Sequence, residues 1–177
     1  MDNRKVFIIG RPRTATASMM KALKILGLKT VKEFDRDTKN IAEDVIDASK
    51  KVSAFGSSLT YTLEDIRKIE AEYTDAVFIL TEREADVWYS SFIRNHSAES
   101  TESDPRTEEL EYKNKGNWVN QYYKDYNEKV KAHFKGREWK LFNVVYGGQN
   151  DNWGNVCSFL KKPIPNKPRP HENMSRK

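Results

Sequence analysis

The sequence is poor in cysteine and contains no long hydrophobic run, and each absence excludes a class of protein. Cys157 is the only cysteine among the 177 residues, which excludes an intrachain disulfide and a metal site made of several cysteines. The first apolar run, Val6 to Ile9, is far shorter than the ~18 residues of a membrane-spanning helix and too short for a signal-peptide core. We therefore expect a cytoplasmic protein without a membrane partner, in which Cys157 is a buried thiol.

The body of the chain also lacks an excess of charge of either sign. The net charge is +5, and the segment 161–177 accounts for all of it with six Lys or Arg and one Glu. This segment is rich in proline, which is typical of a solvated, extended terminus. We therefore predict one domain over residues 1–160 and a basic tail over residues 161–177. The neutral body disfavours nucleic acid as a partner, and binding of nucleic acid through the tail is the alternative.

Short apolar runs alternate with amphipathic segments, the pattern of a parallel sheet covered by helices. We therefore predict a three-layer α/β domain with three or four parallel strands. An aromatic stripe on the longest helix, Trp118, Tyr122 and Tyr126, indicates core packing, with a wall of a substrate pocket as the alternative. The predicted strands cover residues 5–9, 52–55, 76–80 and 139–145, and the predicted helices cover 16–26, 35–51, 63–73, 84–96, 110–134 and 153–160.

The loop between the first strand and the first helix carries residues that are suited to bind an anion. It reads GRPRTATAS over residues 10–18, where free backbone N–H groups and the helix dipole meet. A Walker A loop would have Gly, Lys and Ser or Thr where this chain has Ala15, Thr16 and Ala17. The sequence thus disfavours hydrolysis of ATP or GTP, and also a small nucleotide kinase or another P-loop phosphotransferase. The Arg13 guanidinium, two threonine hydroxyls and the helix N-terminus remain, a set suited to phosphate without a metal.

Three segments together resemble the sulfotransferases that use 3′-phosphoadenosine 5′-phosphosulfate (PAPS). The stretch KVFIIGRPRTATASMMKALKILG is similar to the loop that binds the 5′-phosphosulfate in that family. The stretch FILTEREADVWYSS is similar to the element whose Arg and Ser bind the 3′-phosphate, and WGNVCSFLKKPIPNKPRPHEN to the C-terminal end of one branch. The resemblance covers nearly the whole chain, and it implies a P-loop-like fold with a small parallel sheet flanked by helices.

The resemblance implies a sulfotransferase reaction with PAPS as donor and adenosine 3′,5′-bisphosphate as product, without a metal. The acceptor would be an unidentified hydroxyl or amine on a small molecule or glycan. Arg13 would stabilise charge on the bridging oxygen, and Arg83 and Ser91 would bind the 3′-phosphate. The alternative for Arg83 is a salt bridge with Glu82 or Glu84. The implied donor-binding residues are Gly10, Pro12, Arg13, Thr14, Ala15, Thr16, Ala17, Ser18, Arg83 and Ser91, with Ser90 as the alternative to Ser91.

Two departures from the family pattern bear on activity. Ala15 stands where the family has Gly, and its methyl group would cost about 1 kcal/mol if the backbone φ is positive there. Ala17 replaces a Ser or Thr whose hydroxyl contacts the 5′-phosphate, a hydrogen bond worth ~1.5–3 kcal/mol. The alternative function is therefore a catalytically weakened sulfotransferase-like protein that binds a nucleotide or a partner.

The sequence does not identify the general base that would take the proton of the acceptor. His96, at the end of the fourth predicted helix, is our candidate catalytic residue, and a solvated or core histidine is the alternative interpretation. The same alternative applies to His133 and His171. Glu33 and Asp35, after the first helix, are further candidates.

Overall fold

The structure is a computed structural model that describes residues 4–31, 40–56, 60–96 and 115–170. Its strands are β1 (Val6–Ile8), β2 (Ala54–Gly56), β3 (Val77–Glu82) and β4 (Leu141–Val145). These four strands form one sheet in the order β2-β1-β3-β4, and every neighbouring pair is parallel. The predicted α/β fold, with a small parallel sheet flanked by helices, is confirmed.

Helices cover both faces of the sheet and its carboxyl end. On one face lie α1 (Thr16–Ile25) and α7 (Trp153–Leu160), and Cys157 of α7 is buried as predicted. On the other face lie α2 (Ile41–Ser49), α3 (Leu63–Glu72) and α6 (Asp125–His133). Helix α4 (Ala85–His96) packs against a π-helical segment (Trp118–Lys124), which continues the short helix α5 (Lys115–Asn117). No helix among the described residues is long and apolar enough to cross a membrane.

Strands β1 and β3 lie in the middle of the sheet, so both of their faces are covered. Successive side chains of a strand point to opposite faces. Phe7 and Phe78 accordingly join the cluster with α2, α3 and α6, whereas Ile8 and Ile79 join the cluster with α1 and α7. All four side chains are fully buried, which explains why these strands appear in the sequence as continuous apolar runs.

The long helix that we predicted over residues 110–134 differs from an ordinary α-helix. Its described part runs from Lys115 to His133, but seven of those residues, Trp118–Lys124, are π-helical. A π-helix has a wider turn than an α-helix, and such segments occur frequently at functional sites. Tyr122 and Tyr123, which are adjacent in this segment, are both buried.

The described part of the basic tail, residues 161–170, is extended and largely exposed, but it is attached to the domain. The Trp153 indole Nε1 donates a hydrogen bond to the Lys167 carbonyl at 2.7 Å. Arg169 Nε donates to Asp151 Oδ1 at 2.6 Å, and the side chains of this ion pair are only 10% and 3% exposed. Arg169 is therefore part of the folded body and not of a solvated tail, which the sequence did not predict.

Candidate functional site

The carboxyl ends of β1 and β3 form the crevice in which the candidate site lies. From β1 the chain passes to β2 on one side, and then returns to β3 on the other side. Ligands of open α/β sheets bind at such a switch point, outside the carboxyl ends of the strands. The loop of residues 9–15 follows β1 and Arg83 follows β3. Both segments that the sequence assigned to the donor therefore lie at this one crevice.

The loop after β1 is fixed to the end of β3 by Gly10 and Thr14. A Cβ added to Gly10 would lie 2.0 Å from Thr81 Oγ1, so only glycine allows the two strands to approach this closely. The hydroxyl of Thr14 lies 2.7 Å from Thr81 Oγ1 and donates to the Arg11 carbonyl at 2.6 Å. Thr14 is fully buried, so its side chain holds the loop in place.

The loop bends through two residues with left-handed backbone conformation. Arg13 has φ 72° and Ala15 has φ 70°, so the positive φ considered for Ala15 is present. Ala15 is the N-cap of α1 and makes no side-chain capping bond, and the first turn of α1 carries no acidic residue. The N-cap residue therefore offers no side-chain acceptor to the first N–H groups of the helix. Thr16 and Ser18 in that turn are buried, and Ala17 is exposed.

Arg13 and Ser91 connect the loop to the helix that follows β3. Arg13 Nε donates a hydrogen bond to Ser91 Oγ at 3.3 Å across 78 residues of sequence. Arg83, Ser90 and Ser91 all line one cavity of about 290 Å³, so the hydrogen bonds of the two serines distinguish them. The hydroxyl of Ser90 donates instead to the Asp86 carbonyl at 2.8 Å within the helix. This geometry favours Ser91 over Ser90 as the partner of Arg83.

The two carboxylates that could have neutralised Arg83 have other partners. Glu82 pairs with Lys131 at 2.8 Å. Glu84 accepts hydrogen bonds from the N–H groups of Val87 and Asp86 at the start of α4, and these bonds hold the pKa of the Glu84 carboxyl below its usual value. Among the described residues, no ion pair joins Arg83 to either carboxylate. The guanidinium of Arg83 lies instead 5.0 Å from the centre of the Tyr146 ring.

Comparison with known proteins identifies the family of the chain. The profile of the sulfotransferase domain family matches residues 5–107 and 104–177. The chain belongs to the sulfotransferase family. Among solved structures, a sulfotransferase from Alicyclobacillus acidocaldarius has a similar fold, with a TM-score of 0.53 and 13% sequence identity over 98% of this chain and 86% of that chain. No curated protein sequence matches the chain.

In this sulfotransferase-family protein the loop is supported by a buried arginine that sequence reasoning missed. Arg11 donates from Nε to the Tyr122 carbonyl and from Nη1 to the Tyr61 carbonyl, both at 3.1 Å. Its guanidinium lies 4.3 Å from the centre of the Tyr122 ring and 3.8 Å from that of Tyr126. The Tyr126 hydroxyl donates to the Ile9 carbonyl at 2.6 Å. Tyr122 and Tyr126 of the aromatic stripe therefore pack in the core, as predicted, and also support the entry to the loop, whereas Trp118 is only partly buried.

The general base stays unassigned. His133 lies 2.9 Å from Glu70, which also accepts a hydrogen bond from Lys140. Lys140 directly precedes β4, so this cluster lies at the amino edge of the sheet, away from the loop. Burial alone would raise the pKa of Glu70, but hydrogen bonds from Lys140 and His133 outweigh it and lower that pKa. His96 is the last residue of α4; its side chain, and His171, Glu33 and Asp35, lie outside the described residues.

Ala15→Gly should stabilise the protein by about 1 kcal/mol, because glycine adopts the left-handed conformation without the steric cost of a methyl group. In a domain of this size, the melting temperature should rise by ~2–4 °C. Ala17→Gly is the matched control: Ala17 lies in the first turn of α1, where glycine should lower stability by up to about 1 kcal/mol. Thermal denaturation of both variants tests the prediction, and equal destabilisation would contradict it.

Proposed function

We propose that this protein transfers the sulfuryl group of PAPS to a hydroxyl or amine acceptor without a metal ion. The contact between Arg13 Nε and Ser91 Oγ, at 3.3 Å, is the observation that carries the proposal. A nucleotide with a phosphosulfate on its 5′ carbon and a phosphate on its 3′ carbon needs two anion-binding groups in one crevice. The loop with Arg13 supplies the first group, and Arg83 with Ser91 supplies the second.

The two groups have different roles in the reaction. The sulfur–oxygen bond to the 5′-phosphate breaks while a bond forms to the acceptor oxygen or nitrogen, so negative charge develops on the bridging oxygen. Arg13 and the N–H groups in the first turn of α1 stabilise that charge as fixed donors. Arg83 and Ser91 bind the 3′-phosphate and thereby orient the donor. The acceptor gives up its proton to a general base, for which His96 remains the candidate.

Binding of adenosine 3′,5′-bisphosphate tests the nucleotide site directly. At a hundredfold excess over its dissociation constant, a ligand stabilises the folded state by about 2.7 kcal/mol. We therefore expect the melting temperature to rise by ~5–10 °C, and ATP with Mg²⁺ to raise it much less. An equal or larger shift with ATP and Mg²⁺ would contradict the proposal, as would no shift with the bisphosphate. Transfer of labelled sulfate from PAPS, assayed over a panel of acceptors, then tests the reaction itself.

A binding protein with weak or no turnover is the second candidate function. The strained Ala15 and the missing hydroxyl at Ala17 favour it, because both weaken the group that would hold the 5′-phosphosulfate. Bisphosphate binding without transfer to any acceptor would support this candidate. The double variant Ala15→Gly/Ala17→Thr should then bind the bisphosphate at least about tenfold more tightly, because one hydrogen bond to a charged group is restored.

A further inference from the structure

Arg83 lies just beyond the sheet, where strand pairing no longer holds its backbone. Strand β3 ends at Glu82, which is paired with Val145 of β4, and α4 begins at Ala85. The hydroxyl of Tyr123 accepts a hydrogen bond from the Arg83 N–H at 2.7 Å and donates one to the Arg83 carbonyl at 2.6 Å. A single hydroxyl thus satisfies both backbone groups of the residue that we assign to the 3′-phosphate.

The ring of Tyr123 is itself held against Trp88. The two rings are nearly parallel, at an angle of 6°, with their centres 4.3 Å apart. The Trp88 indole Nε1 donates to the Pro12 carbonyl of the loop at 2.9 Å. Trp88 is fully buried and Tyr123 is 3% exposed, so neither ring has room to move. The stacked pair therefore connects the loop at Pro12 to the backbone of Arg83.

The π-helical segment explains how Tyr123 reaches Arg83 while the adjacent Tyr122 contacts Arg11. Tyr122 packs under Arg11, and its hydroxyl lies 3.0 Å from Thr60 Oγ1. The wider π turn brings consecutive side chains closer to the same side of the helix than an α turn does. Tyr122 can therefore support the loop through Arg11 while Tyr123 supports Arg83.

We propose that Tyr123 is a positioning residue that sets the distance between Arg83 and the loop to that required by a nucleotide phosphorylated at both 5′ and 3′. This inference rests on the proposed function, because its ligand is the product of the donor. Tyr123 acts through Arg83 and is not a catalytic residue. Burial raises the pKa of Tyr123 to about 12, so its hydroxyl stays protonated and keeps donating at neutral pH.

The variant Tyr123→Phe tests the inference, because it keeps the stacked ring and removes only the hydroxyl. Calorimetric titrations should compare adenosine 3′,5′-bisphosphate with adenosine 5′-phosphate, which lacks the group that Arg83 would bind. We expect the variant to bind the bisphosphate about tenfold more weakly, the effect of one misplaced charged hydrogen bond. Binding of the 5′-phosphate should change by less than about twofold, since the loop that holds it is untouched.

Two further variants distinguish positioning from general packing. Tyr73→Phe is the matched control: the Tyr73 hydroxyl also has two partners, since it accepts from Ser49 Oγ at 3.0 Å and donates to the Ile46 carbonyl at 3.2 Å. Tyr73 lies between α3 and the start of β3, away from the carboxyl ends of the strands, so both affinities should stay unchanged. In the Arg83→Ala background, Tyr123→Phe should have no additional effect on the bisphosphate. All affinities are compared at a temperature at which thermal denaturation shows each variant folded.

The outcomes separate this inference from the proposed function. Equal weakening of both nucleotides by Tyr123→Phe, or an unchanged preference for the bisphosphate, would overturn the positioning role and leave the proposed function standing. If the wild-type protein itself shows no preference for the bisphosphate over the 5′-phosphate, the proposed function fails first and the inference fails with it.

Discussion

Replacement of Arg13 by alanine should lower the rate of sulfuryl transfer by about 100- to 1,000-fold, the usual effect of removing one fixed donor from a site of developing charge. Of the two arginines in the loop, Arg11 is buried against the tyrosine rings, whereas Arg13 is only partly buried and its guanidinium reaches Ser91 on the opposite side of the crevice. The loss should appear in kcat as well as in kcat/KM, because the charge on the bridging oxygen grows only in the transition state. Steady-state kinetics with PAPS and an acceptor found by the panel measure both.

The conservative variant Arg13→Lys separates charge from shape. Lysine keeps the positive charge and loses the planar fork, so it should retain more activity than the alanine variant. Arg67→Ala is the surface control, because Arg67 is more than half exposed and, within the described part of the chain, forms an ion pair with Glu64 on its own helix. A full transfer rate in Arg13→Ala, with Arg67→Ala also at the wild-type rate, would remove Arg13 from the mechanism.

The central strands could be predicted from the sequence because burial on both faces leaves a plain local signal. Residues 6–9 and 76–80 are continuous apolar runs, and the structure places β1 and β3 within a residue or two of them. Strand β2 has only three residues, and its predicted span of 52–55 begins two residues and ends one residue too early. It lies at the edge of the sheet, where pairing to β1 fixes its register more than its own composition does.

The π-helical segment could not be predicted, because its sequence fits an ordinary helix. Trp118, Tyr122 and Tyr126 recur every fourth residue, which is the spacing of one face of an α-helix. Tyr123 lies outside that stripe and nevertheless is as buried as Tyr122 and Tyr126, and more buried than Trp118. Nothing in the local pattern distinguishes the wider turn, so the residue that holds Arg83 was missed.

The position of the candidate site could be predicted, whereas the distant contacts that hold its loop in place could not. The loop, Arg83 and Ser91 carry a local pattern that resembles a known family, and parallel strands bring their carboxyl ends together. Arg11 is different: its partners Tyr61 and Tyr122 lie 50 and 111 residues away, so only the folded chain reveals them. Polar groups that hold a site in place through distant contacts leave no periodic signal in the sequence.

Gly10→Ala should destabilise the protein by about 3 kcal/mol or more, at the upper end of the usual cost of overpacking a core. The added methyl group would lie 2.0 Å from the Thr81 hydroxyl oxygen and 2.5 Å from the Thr81 carbonyl oxygen. A rotation of the Thr81 side chain relieves only the first contact, and the second requires the backbones of β1 and β3 to separate. Urea denaturation measures the loss of free energy of unfolding.

Gly154→Ala, in helix α7, is the matched control for this substitution. Its methyl group would approach only the Asn152 side-chain oxygen, at 3.2 Å, and a small rotation of that side chain removes the contact. The free energy of unfolding of Gly154→Ala should therefore stay within ~1 kcal/mol of the wild-type value. Equal stability of the two variants would show that β1 and β3 can separate at little cost. The close approach that places the loop beside Arg83 and Ser91 would then not depend on glycine.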